Sequence, residues 1–207
     1  VVGAAGIPNP NGLPHPRSAI KCGEVTVAGS AQGRAFTVSC GGAEGSVVTL
    51  LLPGKERTLA VAELVVRGVQ APSPPPLAPP LSSPPPPRPP PPPQPPSPST
   101  PPASLSLLGA SMSSVFSAAY PAVSCIDGVT IEADDGTHSL CMSKMSTVDP
   151  WLSVSVSPHS RIAKVEVHGP TSCCAFLLSS FEVWVGNMPG RPMGTSGTKC
   201  GEVTVAG

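Results

Sequence analysis

The chain predicts an antiparallel β-sandwich, present as two incomplete copies on either side of a proline-rich linker. Three observations carry this: apolar/polar alternations of period two, a nine-residue segment that occurs twice, and one stretch dominated by proline. Leu152, Val154 and Val156 alternate with Ser153, Ser155 and Ser157. Ala163, Val165 and Val167 alternate with Lys164 and Glu166, and Phe181, Val183 and Val185 with Glu182 and Trp184. Nearer the start, Val25 and Val27 flank Thr26, and Phe36 and Val38 flank Thr37. Val48, Leu50 and Leu52 lead into a Pro53-Gly54 turn. Successive side chains of a strand point to opposite faces, so these patterns describe strands with one buried face. The Gly, Pro and Ser between them supply the turns of a sandwich. No stretch carries the 3.6-residue period of an amphipathic helix.

The repeat sets the organisation. Residues 21–29 read KCGEVTVAG, and residues 199–207 read the same. Upstream, Val1-Val2-Gly3 matches Trp184-Val185-Gly186. Residues 1–69 are therefore the later part of a first domain, and 105–207 the earlier part of a second. Residues 70–104 are the linker, and residues 72–102 hold 20 of the 31 prolines. Proline fixes φ and lacks an amide donor, so this stretch suits neither helix nor sheet. Polyproline II is expected, at ~3.1 Å per residue, or roughly 95 Å if straight. Ser83-Pro84 and Ser97-Pro98 resemble the hydroxyproline-rich linkers of plant and algal wall glycoproteins. Two completions stay open. Residues 105–207 accept strands from residues 30–69 in one circularly permuted sandwich, against the stiffness of the rod, or strands exchange between chains. Without either, both flanks expose unpaired edges.

Composition and motifs exclude several functions. Twelve Lys and Arg balance twelve Asp and Glu, which leaves no basic stripe for nucleic acid and no polybasic membrane patch. The longest apolar run, residues 47–52, is broken by Thr49 and falls far short of the ~20 residues that span a bilayer. The chain opens on Val1 with no basic and apolar leader pattern, so any signal peptide is expected upstream. There is no Gly-x-Ser-x-Gly, phosphate loop or His-Glu-x-x-His. Asp134-Asp135 are too close together to oppose each other across a glycosidic bond, and before Gly136 they read as a turn. A non-catalytic role follows. The seven cysteines, Cys22, Cys40, Cys125, Cys141, Cys173, Cys174 and Cys200, include no Cys-x-x-Cys and suit disulfides in an oxidising compartment better than zinc.

The motifs resemble the F5/8 type C (discoidin-like) fold, in its F-type lectin or fucolectin branch. Ser124-Cys125-Ile126-Asp127-Gly128, Asp149-Pro150-Trp151-Leu152-Ser153-Val154 and Ser172-Cys173-Cys174 followed by Phe181-Glu182-Val183-Trp184-Val185-Gly186 resemble its earlier segments. Lys21-Cys22-Gly23, Val38-Ser39-Cys40, Leu52-Pro53-Gly54 and Val61-Ala62-Glu63-Leu64-Val65-Val66-Arg67-Gly68 resemble its ending. The resemblance implies a jelly-roll sandwich that binds fucose-like sugars through one His and two Arg, with a vicinal disulfide against the sugar. Here Met142 stands in the register of the His, Gly169-Pro170 in that of the first Arg, and Leu177 in that of the second. His138, His159 and His168 fall out of register. The candidate sugar site is therefore Cys173, Cys174, Met142 and Leu177. The resemblance further implies a Cys22–Cys40 disulfide, worth ~3 kcal/mol, a vicinal Cys173–Cys174 bond, and calcium near Asp127, Glu63 and Ser124. Cys125 is an addition to the family pattern, and Cys141 is its expected partner. The expected function is a carbohydrate-binding module of an extracellular wall or matrix glycoprotein, with glycans or glycoproteins as partners. The alternative is a structural or protein-binding spacer.

Overall fold

Two long strands organise the molecule: β2 (Ala35–Leu51) from the first flank and β8 (Trp151–His168) from the second. They pair antiparallel along nearly their whole length, from Ala35 opposite His168 to Leu51 opposite Trp151. The computed structural model describes residues 19–27, 29–70, 102–130, 139–171, 174–191 and 203–206. The proline-rich stretch 71–101 lies outside them, as do residues 1–3, Asp134-Asp135, His138, Cys173 and Cys200.

Eight further strands occur among the described residues, six in the same sheet and two paired apart from it. They are β1 (Ile20–Val25), β3 (Ala60–Val61), β4 (Glu63–Val69), β5 (Ala103–Ser104), β6 (Leu107–Met112), β7 (Cys141–Met142), β9 (Phe181–Gly186) and β10 (Val203–Ala206). A single 3₁₀ turn, Ala122–Cys125, is the one helical element among the described residues. Both long strands bend midway, because their ladder slips between Ser39 and Ala43 and between Gly45 and Val47. Gly41 and Gly42 take positive φ at the bend of β2, and His159 does so in β8. Bulges of this kind kink a strand without ending it. The apolar runs on either side of Gly41-Gly42 and of Pro158-His159, expected as separate strands, are therefore halves of single bent ones.

The bends divide the sheet. On one side β2 and β8 are flanked by β9, β1 and β6; on the other, by β10, β4 and β5. Both halves place side chains in one core cluster. Val48, Leu50, Leu152 and Val154 come from the first half, and Phe36, Val38, Val165 and Val167 from the second. All eight are fully buried. Phe36 meets Phe181 edge to face, with ring centroids 5.7 Å apart. The alternation expected in β8 holds with two departures: Ile162, not Ala163, is the buried residue beside Val165 and Val167, and Ser153 is buried as well, its Oγ 2.8 Å from Thr49 Oγ1. On its outer face Glu166 accepts hydrogen bonds from Arg67 of β4 at 2.8 and 3.2 Å, which hold its carboxyl below the usual range.

The two flanks thus form a common sheet, as in the permuted arrangement. β4 and β5, which border the proline-rich stretch, pair with each other, Arg67 opposite Ser104 and Gly68 opposite Ala103. The two described ends that border residues 71–101 therefore lie at one edge of the sheet.

Candidate functional site

One end of the sheet carries the short pair β3–β7, Ala60 opposite Met142 and Val61 opposite Cys141. Side-chain and backbone bonds fix this pair. Ser143 Oγ accepts from the Leu59 amide at 2.9 Å, and the Ser143 amide donates to the Leu59 carbonyl at 2.9 Å. A disulfide joins Cys125 at the end of the 3₁₀ turn to Cys141 of β7, with Cα atoms 5.3 Å apart and both residues buried. A second disulfide joins Cys22 of β1 to Cys40 of β2. Cys174 is also disulfide-bonded, to a cysteine outside the described residues, and has positive φ.

Around β7 lies a cleft of about 500 Å³. Met142, Cys174 and Leu177 line it, so the structure brings together three of the four residues expected at a sugar site. The fourth, Cys173, lies outside the described residues. Two backbone bonds shape the walls: Leu177 donates to the Cys174 carbonyl at 2.9 Å, and Met142 to the Tyr120 carbonyl at 3.3 Å. Sequence reasoning missed the aromatic part of the lining. Phe116 and Tyr120 stand 6.0 Å apart between centroids, and Phe176 is 75% exposed at the mouth. Met145 adds apolar surface, and Glu56, Thr58 and Ser146 add polar groups. Glu56 and Thr58 come from the first flank, so both flanks build the cleft.

The third register position of the basic triad, Gly169-Pro170, lies outside the cleft. Gly169 and Pro170 are buried against the loop 29–34: Gly169 donates to the Arg34 carbonyl at 2.9 Å, and Gly33 to the Pro170 carbonyl at 3.0 Å. A Cβ on Gly169 would stand 2.1 Å from the Ala31 carbonyl oxygen. No side chain fits there, so a basic donor at that position is incompatible with this packing. His159 is on the bend of β8, paired with Glu44 at 3.0 Å. His168 lies opposite Glu63 in the β4–β8 ladder, and its burial lowers its pKa.

Glu63 and Asp127 meet beside this end of the sheet. Glu63 is 3% exposed, and its Oε2 accepts from the Gly128 amide at 3.2 Å. Gly128 has φ 85°, a conformation that glycine adopts without strain and that aims this amide. Asp127 Oδ1 accepts from the Val129 amide at 2.9 Å, and its Oδ2 from Ser139 Oγ. Burial, with the nearby charge of Asp127, raises the Glu63 pKa to about 7 against the amides of Gly128 and Asp127. Among the described residues no Lys or Arg pairs with Glu63. Two adjacent carboxylates, one buried without a counter-charge, fit a hard oxygen-seeking cation such as calcium. They are the acidic part of such a site only, because no cluster of three His, Cys, Asp or Glu occurs among the described residues. Ser124 lies in the 3₁₀ turn, its amide donating to the Pro121 carbonyl at 3.1 Å. Among the described residues, no helix is long and apolar enough to cross a membrane. No protein-family model, no curated protein and no solved structure matches the chain.

Proposed function

We propose that the chain is a non-catalytic carbohydrate-binding module, a jelly-roll sandwich of the F-type lectin kind, in a secreted wall or matrix glycoprotein. Its sugar site is the cleft at Met142, Cys174 and Leu177. One observation carries the reading: two of the three register positions, Met142 and Leu177, share one cleft with Cys174, together with Phe116, Tyr120 and Phe176. Sugars have apolar C–H faces and polar edges. Aromatic rings and sulfur suit the faces, and the Tyr120 hydroxyl with Glu56, Thr58 and Ser146 suits the hydroxyls. With Met142 and Leu177 in place of charged donors, recognition rests on stacking. Glu63, Asp127 and backbone carbonyls near Ser124 would hold a calcium ion, which would neutralise the buried acid pair. The Cys22–Cys40 and Cys125–Cys141 disulfides are compatible with secretion.

A protein-binding role is the second reading, favoured by the exposure of Phe176 and Met145 at the mouth. Exposed apolar side chains with mobile methionines suit an apolar peptide. A glycan array probed with the full chain, with and without calcium, separates the two. The sugar reading expects saturable binding, competed by free sugar and reduced at least tenfold by Phe176→Ala. A folded chain that binds no glycan overturns it and leaves the protein-binding role.

A further inference from the structure

The two copies of the repeat occupy different places on the same sheet. β1 belongs to the first copy and pairs with β9. β10, the counterpart of residues 25–28 in the second copy, pairs with β2: Val203 opposite Val38, Thr204 opposite Thr37, Val205 opposite Phe36 and Ala206 opposite Ala35. Transposed to the first copy, this is the register of a hairpin closed by residues 29–34. That loop already turns, the Arg34 amide donating to the Ala31 carbonyl at 3.1 Å. The first copy is also held beside the slot. Cys22 is bonded to Cys40, and a Cβ on Gly23 would stand 2.9 Å from Cγ1 of Val38. Yet Thr26 and Val27 lie outside any strand, and the Val27 amide donates to Ser180 Oγ at 3.3 Å. One edge of β2 therefore has two claimants of identical sequence, and the seated one is held by four residue pairs.

We propose that the β2 edge at residues 35–38 is an exchangeable strand-acceptor site, and that its partner is the strand Val203–Ala206 of a second copy of this chain. Strand addition to a sheet edge supplies main-chain hydrogen bonds, and specificity comes from the alternating side chains. A segment seated within the chain or between chains makes the same contacts, so reciprocal exchange loses none of them. A four-residue edge strand opens far below the free energy of global unfolding.

Because Thr37 and Thr204 face each other in register, they report the exchange. Thr37→Cys and Thr204→Cys chains are mixed, oxidised and separated without reductant, and linked residues are mapped by mass spectrometry. The expected result is a 37–204 link between chains in the mixture, absent from either variant alone. Light scattering of the unmodified chain should show a dimer that Thr204→Pro converts to monomer, since proline removes a ladder donor. The proposal fails if the mixture gives no interchain link while the Thr37→Cys/Thr204→Cys double variant closes the same link within one chain. It fails equally if only a Thr26→Cys/Thr37→Cys variant closes, because the first copy then owns the slot.

Discussion

At the scale of single residues, Glu63 is the clearest probe of the site. Its folded pKa of about 7 lies above the 4.5 of an unperturbed glutamate. The folded state therefore binds its proton more tightly than the unfolded state, and the group's contribution to stability is complete below pH 4.5. It is lost as pH rises to about 7, by up to ~3 kcal/mol. Thermal unfolding from pH 4 to 8 should show this decline, and Glu63→Gln should flatten it. If the acid pair holds calcium, millimolar calcium should raise Tm at pH 8 in the wild type and leave Glu63→Gln unmoved. Gly169 gives a second residue-scale prediction. Gly169→Ala forces a Cβ onto the Ala31 carbonyl and should destabilise by about 1–3 kcal/mol in urea unfolding. The meeting of Glu63 with Asp127 was legible in the sequence, because the permuted arrangement brings them together. The aromatic lining was not: Phe116, Tyr120 and Phe176 stand alone in loops, outside any period that marks a buried face.

Among the elements, β8 was the most legible, because alternate Val and Leu against Ser can bury only one way. Its continuity was not, because nothing about Pro158-His159 as residue types separates a bend from a strand end. The backbone decides this through positive φ at His159 and the slipped ladder. The repeat posed a deeper ambiguity. Identical residues have identical local propensities, so only tertiary partners decide that Val25 lies opposite Phe181 of β9 while its counterpart Val203 lies opposite Val38 of β2. Within the core, Phe36 of β2 packs on Phe181 of β9, and Phe36→Ala should cost about 3–5 kcal/mol. The Cys125–Cys141 disulfide ties the 3₁₀ turn to β7. Replacing both cysteines with Ser should lower stability by ~3 kcal/mol and, because Met142 follows Cys141, should weaken glycan binding more than the equivalent change at Cys22 and Cys40.

For the whole molecule, both flanks build one sheet and one cleft. β2 crosses β8 over its full length, and Glu56 and Thr58 face a cleft otherwise lined by the second flank. A core shared in this way should unfold in one cooperative step. The direct test is to place a protease site within residues 71–101, cleave the folded chain, and run it on size exclusion without denaturant. The two pieces should co-elute as one particle, with the glycan binding of the uncut chain and a single unfolding transition. Separation into two independently eluting fragments would contradict it.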